Sequence, residues 1–444
     1  MVITVDGGTF LGKSSISKKI AERLGFLHIS SGVIYKTVVY KMLEDNACLD
    51  DVKSILTYLY DAEKNIQFLG DGKIAYNGVD ITRSIENDTV YGNCHKISGI
   101  SEVKSCVERI IRGYAKNDNI IVDGRETGTL LFPNADFKFF FMSSTDRFSK
   151  ATNVKNIDVL RKKDEDDAKN GIVLCPKDAE IIDIDNYETK GQVVSYIVSK
   201  VCGAVISKIE KNRIDAIIPA RSGSVSCKNK NIRLLGGMPL MAHSICAAKQ
   251  IKNVSDVLVS TDSLEYAEIG KKYGAETPFI RPKRISGDKA TDLEFFKHAI
   301  FMIYSIKGTL PEYIVHLRPT TPIRDKNVVQ MAVDCIVNNS NATSLRSAHK
   351  CDKSPYKMFL KNSKGYYVAL FDNMTPDDAN RPRQDFPEAF IPNGYVDVVK
   401  TEYIVLMDRL HGDYVIAFET DRTIDVDTEK DFLFAEKFLS REEV

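Results

Sequence analysis

Short apolar runs alternate with amphipathic stretches through the first half of the chain. Apolar runs of strand length predict β-strands at Val2–Asp6, Phe26–Ile29, Asn119–Val122 and Phe137–Met142. Apolar residues that recur every three or four positions predict helices at Ser15–Leu24, Val33–Leu43, Glu102–Tyr114 and Lys190–Val205. Asn77-Gly78, between the short runs Lys73–Tyr76 and Val79–Ile81, predicts a β-hairpin. This alternation indicates an α/β fold in which helices cover both faces of a parallel sheet.

The same alternation starts afresh after a charged stretch, Ile209–Arg213, which has no clear periodicity. Further strands are predicted at Ile214–Ile218, Val257–Ser260, Tyr313–Leu317 and Val415–Phe418. Further helices are predicted at Met241–Gln250, Glu265–Tyr273, Leu293–Ile306, Lys326–Val337 and Thr428–Leu439. Asp372–Asn393 is rich in Pro, Asp, Asn and Arg and predicts a loop or excursion. We expect two domains, residues 1–210 and 211–444, because 444 residues are too many for one ordinary core.

The composition narrows the class of protein and of ligand. Hydrophobic residues make up 43% and charged residues 27%, as in soluble globular proteins. Lys plus Arg equals Asp plus Glu at 61 each, so no basic excess predicts a nucleic-acid or membrane partner. Nine cysteines without a C-x-x-C pair favour neither a zinc site nor a disulfide framework, and free thiols indicate a reducing, cytoplasmic environment. The first residues resemble a strand, not a signal peptide, and no membrane span is expected.

The run VDGGTFLGKS, from Val5 to Ser14, lies between a predicted strand and a predicted helix. Its Gly7, Gly12, Lys13 and Ser14 satisfy the phosphate-loop pattern G-x-x-x-x-G-K-S. The glycines let backbone N–H groups approach the phosphates of ATP, Lys13 would bridge the β- and γ-phosphates, and Ser14 would ligate Mg²⁺. The alternative is a glycine turn that binds nothing. Asp123 is a candidate for the Mg²⁺ shell through water, the alternative being a strand-end cap.

Two longer runs, ERLGFLHISSGVIYK (Glu22–Lys36) and VDGRETGTLLFPNADFKFF (Val122–Phe140), extend the pattern. With them, most of residues 1–200 resembles bacterial cytidylate (CMP) kinase, whose extra segment corresponds to Lys64–Ile97. The resemblance implies a P-loop kinase that converts ATP and CMP to ADP and CDP. It also implies that the CMP site contains Ser31, Lys36, Arg112 and Arg125, with Lys13 and Arg125 as catalytic residues. A solvated helix face is the alternative for any one of the basic residues alone.

Three features depart from the kinase family's pattern. Lys36 stands where the family has Arg, and Glu126 where it has Asp. The lid run LRKKDEDDAKN (Leu160–Asn170) is more acidic than the family's and has Lys163 in place of Arg.

A second apolar strand runs into a small-residue loop, IIPARSGSVSCKNKN (Ile217–Asn231). Small residues let backbone donors approach a triphosphate, while Arg221 and Lys230 supply charge for the α-phosphorus and the leaving pyrophosphate. Asp425 and Asp427 lie two residues apart on a strand-like run, so their side chains share a face, as Mg²⁺ ligands require. The alternative for this pair is an exposed acidic strand followed by a helix cap at Thr428.

Seven ordered runs carry a second resemblance, to the acylneuraminate cytidylyltransferase (CMP-sialic acid synthetase) family across residues 214–444. They are Pro219–Asn231, Leu235–Ile245, Val257–Ser263, Tyr273–Pro282, Leu317–Arg324, Arg381–Pro387 and Ile424–Thr428. The resemblance implies a Rossmann-like α/β nucleotidyltransferase domain and a homo-oligomer. The CTP site it implies consists of Arg221, Ser224, Lys230, Asn231 and Arg281, with Arg221, Lys230 and Asp427 as catalytic residues. The implied sugar-acid site consists of Arg318, Lys357, Arg383 and Gln384, and the implied Mg²⁺ ligands are Asp425 and Asp427.

This half also departs from its family at two places: Val225-Ser226 replace Lys-Gly, and Asp397 replaces a Tyr on the sugar side. The sequence therefore predicts a bifunctional enzyme with CMP, ATP, CTP and a nonulosonic acid as ligands and Mg²⁺ as cofactor. The related enzymes that activate the eight-carbon acid KDO lack a counterpart of RPTTPIR, so the resemblance implies a nine-carbon acid. A KDO-activating enzyme, or a chain in which one half only senses nucleotide, are the alternatives.

Overall fold

The computed structural model describes residues 1–70, 72–145, 175–223 and 227–442. The chain divides into two compact units, one formed by residues 1–209 and 279–310 and the other by residues 210–278 and 311–444. The segment 279–310 follows the second predicted nucleotide loop in sequence and nevertheless packs within the first unit. No helix in the described ranges is long and apolar enough to cross a bilayer.

A five-stranded sheet forms the centre of the first unit. Its strands are β1 (Val2–Gly7), β2 (Leu27–Ser30), β6 (Ile120–Asp123), β7 (Phe137–Met142) and β8 (Glu180–Asp183). They run in the order β2-β6-β1-β7-β8, and all four pairings are parallel. Ile3, Val5 and Ile29 are fully buried, because strands with helices on both faces present no polar side to water. The predicted α/β class with a parallel sheet is confirmed for this unit.

Seven helices of the first unit pack around this sheet in the part of the chain that the structure describes. They are α1 (Lys13–Leu24), α2 (Ser31–Glu44), α3 (Val52–Asn65), α4 (Asp88–Ser98), α5 (Ser101–Ala115), α6 (Lys190–Ile206) and α9 (Asp292–Lys307). A small antiparallel sheet, β3 (Ile66–Gly70), β4 (Lys73–Tyr76) and β5 (Val79–Asp80), contains the predicted hairpin. Asn77 and Gly78 have φ values of 51° and 79°, the left-handed conformation that such a two-residue turn needs.

Segment 279–310 contributes both polar and apolar contacts to the first unit. Two guanidinium nitrogens of Arg284 donate to the Asp118 carboxylate, at 2.9 and 2.7 Å. Phe301, on α9, packs edge-on against Phe26, with the ring centroids 4.8 Å apart. Thr291 and Glu294 form a capping box that starts α9. The core of the first unit is therefore completed by residues that lie after the second nucleotide loop in sequence.

The second unit is built on a six-stranded mixed sheet in the order β12-β9-β13-β17-β14-β18. These strands are β9 (Ile209–Pro219), β12 (Val254–Ser260), β13 (Leu310–His316), β14 (Ser344–Lys350), β17 (Phe390–Lys400) and β18 (Val415–Glu419). The outer pairs β12–β9 and β14–β18 are parallel, and β17 is antiparallel to both of its neighbours. Two small hairpins are formed by β10 (Leu234–Leu235) with β11 (Met238–Pro239), and by β15 (Phe359–Lys361) with β16 (Tyr367–Ala369).

Five helices accompany the second sheet within the described ranges: α7 (Leu240–Lys249), α8 (Leu264–Lys272), α10 (Lys326–Val337), α11 (Thr401–Met407) and α12 (Glu429–Glu442). Two element predictions need correction. Strand β9 begins at Ile209, not at Ile214, and Arg213 within it pairs with Asp215 and Asp256. The predicted excursion ends earlier than Asn393, because β17 begins at Phe390 and pairs with β14.

Candidate nucleotide sites

The loop between β1 and α1 has a backbone that only glycine adopts without strain at two positions. Gly7 has φ 143°, and a Cβ there would lie 2.4 Å from the carbonyl oxygen of Phe141. Gly12 has φ 74° and is the N-cap of α1. The Lys13 ammonium donates to the Gly8 carbonyl at 2.5 Å, within the same loop. The first two glycines of the pattern thus give the loop its shape, and the lysine lies over it.

The buried carboxylate of Asp123 lies at the end of β6, directly beside the loop. Ser14 Oγ donates to its Oδ2 at 2.6 Å, and Ser30 Oγ donates to the same oxygen at 3.3 Å. His28 Nε2 lies 2.5 Å from the other oxygen, Oδ1. Asp123 is 3% exposed, so these partners replace the water that a buried charge would lose.

A cleft of about 820 Å³ opens beside the loop. Four of the six side chains predicted to bind ATP or CMP line it, namely Lys13, Ser14, Ser31 and Arg125, and so do Gly12 and Asp123. Arg125 donates to Thr9 Oγ1 at 2.8 Å, which connects the residues that follow β6 to the loop. The other two predicted residues flank lining residues: Lys36 lies 5.8 Å from the ring centroid of Tyr91, and Arg112 donates to the Leu130 carbonyl at 3.3 Å.

The buried carboxylate of Asp6 binds Thr127 and Gly128, the Thr-Gly pair that follows β6. Asp6 accepts from the Thr127 amide, the Thr127 hydroxyl and the Gly128 amide at 2.9, 2.8 and 2.7 Å. Burial raises the pKa of Asp6 above its ordinary value, while these three hydrogen bonds act in the opposite direction. The carboxylate therefore fixes one wall of the cleft to β1.

Sequence reasoning missed several residues of this cleft: Tyr35, Tyr91, His95, Lys104 and Glu108. They come from α2, α4 and α5, and their arrangement depends on helix packing that no local pattern reports. It also missed His28, which does not line the cleft but contacts Asp123. The predicted lid run Leu160–Asn170, with Lys163, lies outside the described residues.

In the second unit, side chains hold the loop that follows β9. Asn231 Nδ2 donates to the Arg221 carbonyl at 2.9 Å, and the Ser222 amide and hydroxyl donate to Asp262 at 2.8 and 2.9 Å. Lys230 is 8% exposed, and its ammonium donates to Asp427 Oδ1 at 2.9 Å. Arg221, Lys230, Asn231 and Asp427 therefore belong to one connected group. Ser224 lies outside the described residues, as do Val225 and Ser226.

The two predicted metal ligands lie on either side of a buried residue. Val426 is fully buried and donates its amide to the Thr320 carbonyl at 2.7 Å, whereas Asp425 and Asp427 are exposed. Desolvation raises the pKa of Asp425, a hydrogen bond from Thr320 lowers it, and the charge of Asp427 raises it again. The segment is irregular and not the strand on which the prediction of a shared face rested, so the pairing of Asp425 and Asp427 as metal ligands stays a prediction.

Arg318, predicted for the sugar acid, donates to Asp397 Oδ2 at 2.7 Å. Asp397 is 1% exposed, and its Oδ1 lies 3.9 Å from Arg346 Nε. Arg324 is half-buried and donates to the carbonyls of Tyr395 and Arg318. Burial lowers the pKa of Arg324 to about 9. Against the desolvation that raises the pKa of Asp425, Arg318 also lowers it, so three guanidinium groups face two carboxylates, Asp397 and Asp425, and positive charge is in slight excess.

The remaining predicted ligands lie elsewhere. Lys357 lies 5.9 Å from the ring centroid of Phe386, and Arg383 donates to the Cys351 carbonyl at 3.0 Å, so these contacts fall within residues 351–386. Gln384 is exposed in the same segment. Arg281 belongs to the first unit, where it is 4% exposed and its guanidinium lies 4.9 Å from the centroid of Phe295.

The donor atoms at both loops suit Mg²⁺, which prefers oxygen ligands. Ser14 with Asp123 in the first unit, and Asp427 beside Lys230 in the second, each place hydroxyl or carboxylate oxygens beside a loop that is predicted to bind phosphate. No group of three or more His, Cys, Asp or Glu side chains forms a ready-made metal cluster in the described ranges.

Comparison with known proteins assigns the first unit. Residues 3–202 match the family model described as cytidylate kinase. The cytidylate kinase of Caldanaerobacter subterraneus subsp. tengcongensis is 30% identical over 209 residues, which cover 44% of this chain and 92% of that protein. The chain belongs to the cytidylate kinase family.

The cytidylate kinase half is fused to a second enzyme domain, since residues 216–374 match the family model described as cytidylyltransferase. The N-acylneuraminate cytidylyltransferase of Escherichia coli is 31% identical over 227 residues. The match covers 51% of this chain and spans only 52% of the length of that relative. The solved structure of a CMP:2-keto-3-deoxy-manno-octonic acid synthetase complexed with CTP is 15% identical, with a TM-score of 0.39 over 52% of this chain and 99% of that one. The predicted fusion of a cytidylate kinase with a cytidylyltransferase is confirmed.

Proposed function

We propose that this chain is a bifunctional enzyme in which residues 1–210 phosphorylate CMP and residues 211–444 transfer CMP from CTP to a nonulosonic acid. One observation carries the proposal: two phosphate-binding loops, in separate units, each have basic residues and carboxylates suited to a nucleotide and Mg²⁺. The first combines Lys13, Ser14 and Asp123, and the second combines Arg221, Lys230 and Asp427.

In the kinase unit, the residues bind and orient two nucleotides and neutralise charge, which is most of what phosphoryl transfer needs from a protein. Gly7 and Gly12 shape the cradle for the ATP phosphates, and Lys13 would leave the Gly8 carbonyl to contact them. Ser31, Lys36, Arg112 and Arg125 would hold CMP. A CMP phosphate oxygen then bonds to the γ-phosphorus, and the bond from that phosphorus to ADP breaks. Mg²⁺, held by Ser14 and through water by the Asp123 carboxylate, would supply further charge neutralisation when bound.

In the transferase unit, Arg221, Ser224, Lys230 and Asn231 would bind CTP, and Arg281, which belongs to the first unit, is not included. The anomeric hydroxyl of the sugar acid attacks the α-phosphorus, its O–P bond forms, and pyrophosphate leaves with its negative charge stabilised by Arg221 and Lys230. Asp427 would accept the hydroxyl proton, directly or through water. Asp425 and Asp427 would also hold Mg²⁺, which polarises the phosphate when bound.

The acceptor is proposed to be an acid because arginine outnumbers carboxylate around Arg318, Arg324 and Arg346. Arg318 would bind the carboxylate, since arginine binds carboxylates through paired hydrogen bonds. The run RPTTPIR supports a nine-carbon acid. An eight-carbon acid of the KDO type is the competing acceptor, and the assay below includes it.

The fusion is consistent with nucleotide recycling. A glycosyltransferase that uses the CMP-sugar releases CMP, and the kinase half would return it to CDP. A further phosphorylation is needed before CTP is regenerated, so we propose no direct channel between the two sites. Both reactions use small phosphorylated metabolites, and we propose a cytoplasmic location with no nucleic-acid or membrane partner.

A homo-oligomer through the second unit is also proposed. The hairpin β15–β16 exposes Phe359, Tyr366 and Tyr367 to 44%, 69% and 68% of their surface. Strand β17 begins with exposed Phe390 and Ile391. An exposed apolar set of this kind on a soluble enzyme is typical of an interface, and a second copy of the chain is the partner that the family resemblance implies.

The test is an assay of both reactions with the full-length protein. Pyrophosphate release from CTP is measured with a panel of nonulosonic acids and KDO, and ADP formation is measured from ATP with CMP. We expect turnover with at least one nine-carbon acid and none with Asp427→Ala. Turnover with KDO alone would reassign the acceptor, and no turnover with any acid by a folded protein would refute the transferase proposal.

A further inference from the structure

A histidine that the kinase reaction does not use contacts the carboxylate beside the phosphate loop. His28 lies on β2, in a run whose neighbours Leu27 and Ile29 are buried and apolar. Its side chain is 9% exposed, and Nε2 lies 2.5 Å from Asp123 Oδ1. A buried imidazole is unfavourable unless it is hydrogen-bonded, so the contact with Asp123 explains how this position tolerates a polar ring.

The sheet register places this histidine where it can hold the carboxylate. Strands β2 and β6 are parallel, with Ser30 opposite Asp123 and His28 opposite Ile121. Residues two apart on a strand share a face, so His28, Ser30 and Asp123 lie on the same side of the sheet. The imidazole therefore contacts Oδ1 of the carboxylate, while Ser14 and Ser30 contact the other oxygen, Oδ2.

The two oxygens of Asp123 thus have separate partners. An ionised carboxylate only accepts hydrogen bonds, so Nε2 carries the hydrogen in the His28 contact. This bond fixes the rotation of the carboxylate about its last torsion and directs Oδ2 toward Ser14. The Ser14 hydroxyl then donates its one hydrogen to Asp123, and its oxygen lone pairs remain available on the side of the cleft.

We propose that His28 is a positioning residue of the kinase half: it orients Asp123, and through it Ser14, for the Mg²⁺ that accompanies ATP. The proposal rests on the kinase activity proposed above. Partners that orient metal-binding groups change metal affinity or activity by about 10–100-fold when they are removed, and His28 has this relation to Asp123 and Ser14. Its role differs from that of a core residue, because its loss should weaken Mg²⁺ binding and leave the binding of CMP unchanged.

The experiment uses three substitutions of His28 in the full-length protein. H28L keeps apolar bulk and removes the donor. H28Q keeps an N–H at a reach close to that of Nε2, and H28N has a side chain too short to reach Asp123. Binding of ADP is measured by calorimetry with and without Mg²⁺, Mn²⁺ bound in the presence of ADP is counted by electron paramagnetic resonance, and CMP phosphorylation is followed against Mg²⁺ concentration.

We expect H28L and H28N to weaken Mg²⁺-dependent ADP binding and to raise the half-saturating Mg²⁺ concentration, both by about 10–100-fold. Metal-free ADP binding and the KM for CMP stay at wild-type values, and H28Q restores most of the loss. The proposal is overturned if H28L has a wild-type Mg²⁺ dependence, if it loses metal-free binding equally, or if H28Q is as defective as H28L.

A second variant covers the case in which H28L does not fold. D123N keeps the size of the side chain and removes the carboxylate, so its Mg²⁺ defect should be at least as large as that of H28N. The double variant H28N/D123N should have the same half-saturating Mg²⁺ concentration as D123N alone, because both substitutions break the same contact between His28 and Asp123. Additive losses would contradict the proposal. If the wild-type protein fails to phosphorylate CMP, the proposed function fails, whereas the ADP and Mn²⁺ titrations still test the role of His28.

Discussion

The loop after β1 is shaped by glycine backbone, whereas the loop after β9 is held by side chains. In the first, Gly7 leaves no space for a Cβ, and the buried Asp123 already accepts from Ser14. In the second, Asn231 holds the Arg221 carbonyl, and Lys230 is paired with the exposed Asp427. The backbone of the kinase loop is thus shaped before nucleotide binds, although Lys13 must leave the Gly8 carbonyl to contact phosphate. In the proposed transferase site, Lys230 and Asp427 must separate before CTP and Mg²⁺ can take their places.

Loss of one charged residue in each loop should separate the two activities. Lys13→Met removes the ammonium that faces the phosphates and should lower CMP phosphorylation by about 100–1,000-fold while pyrophosphate release from CTP is unchanged. Asp427→Ala should give the reverse pattern. Both rates are measured on the same preparations. Loss of both activities from either substitution would contradict the independence of the two sites.

Arg284→Ala should destabilise the first unit by about 3–5 kcal/mol, because it leaves the buried Asp118 carboxylate without its guanidinium partner. Thermal and denaturant unfolding measure the loss. The control is Lys200→Ala, whose pair with Glu180 is exposed and should change stability by about 0–1 kcal/mol. Equal effects of the two substitutions would show that segment 279–310 does not complete the core of this unit.

The same variant should depend on pH in a defined direction. Burial raises the pKa of Asp118 above its ordinary value of 3.8, and Arg284 opposes this shift. Without Arg284 the folded-state pKa rises further, so the folded state binds a proton more readily than the unfolded state and stability falls as pH rises through that range. The difference in the free energy of unfolding between wild type and Arg284→Ala should therefore shrink as the pH is lowered from neutral toward acid. A difference that grows on acidification would contradict this assignment.

Asp397→Asn should act on the acceptor and not on the nucleotide. It removes the charge that holds Arg318, so the KM for the sugar acid should rise about tenfold while the KM for CTP stays unchanged. Asp352→Asn is the matched control, because its pair with Arg422 is exposed on both sides and should contribute little. An equal rise in both KM values would show that Asp397 has a general structural role and does not act on acceptor binding alone.

The smallest effect on catalysis is expected at the hairpin β15–β16. Tyr366→Ser with Tyr367→Ser removes two aromatic side chains from the exposed apolar set and should shift a dimer toward monomer. Analytical ultracentrifugation at several concentrations measures the shift, and kinase activity serves as the control for folding. An unchanged association constant would remove this hairpin from the proposed interface.

Local patterns predicted those parts of the molecule that local chemistry determines. The strand Phe137–Met142 and the turn at Asn77-Gly78 lie where the sequence indicated, because apolar runs and left-handed residues act over a few positions. The contact between Arg284 and Asp118 joins residues 166 positions apart, and no periodicity reports it. The contact of His28 with Asp123 likewise follows from pairing of β2 with β6, which the sequence of either strand alone does not contain.

Phosphorus-31 spectroscopy of the full-length protein with ATP, CMP, CTP, Mg²⁺ and a nonulosonic acid tests the central claim most directly, since it distinguishes every product in one sample. The account predicts ADP and CDP from the first unit, and pyrophosphate with a CMP-sugar phosphodiester from the second. Resonances of the starting nucleotides that stay unchanged over many hours, in a protein that melts cooperatively, would contradict it.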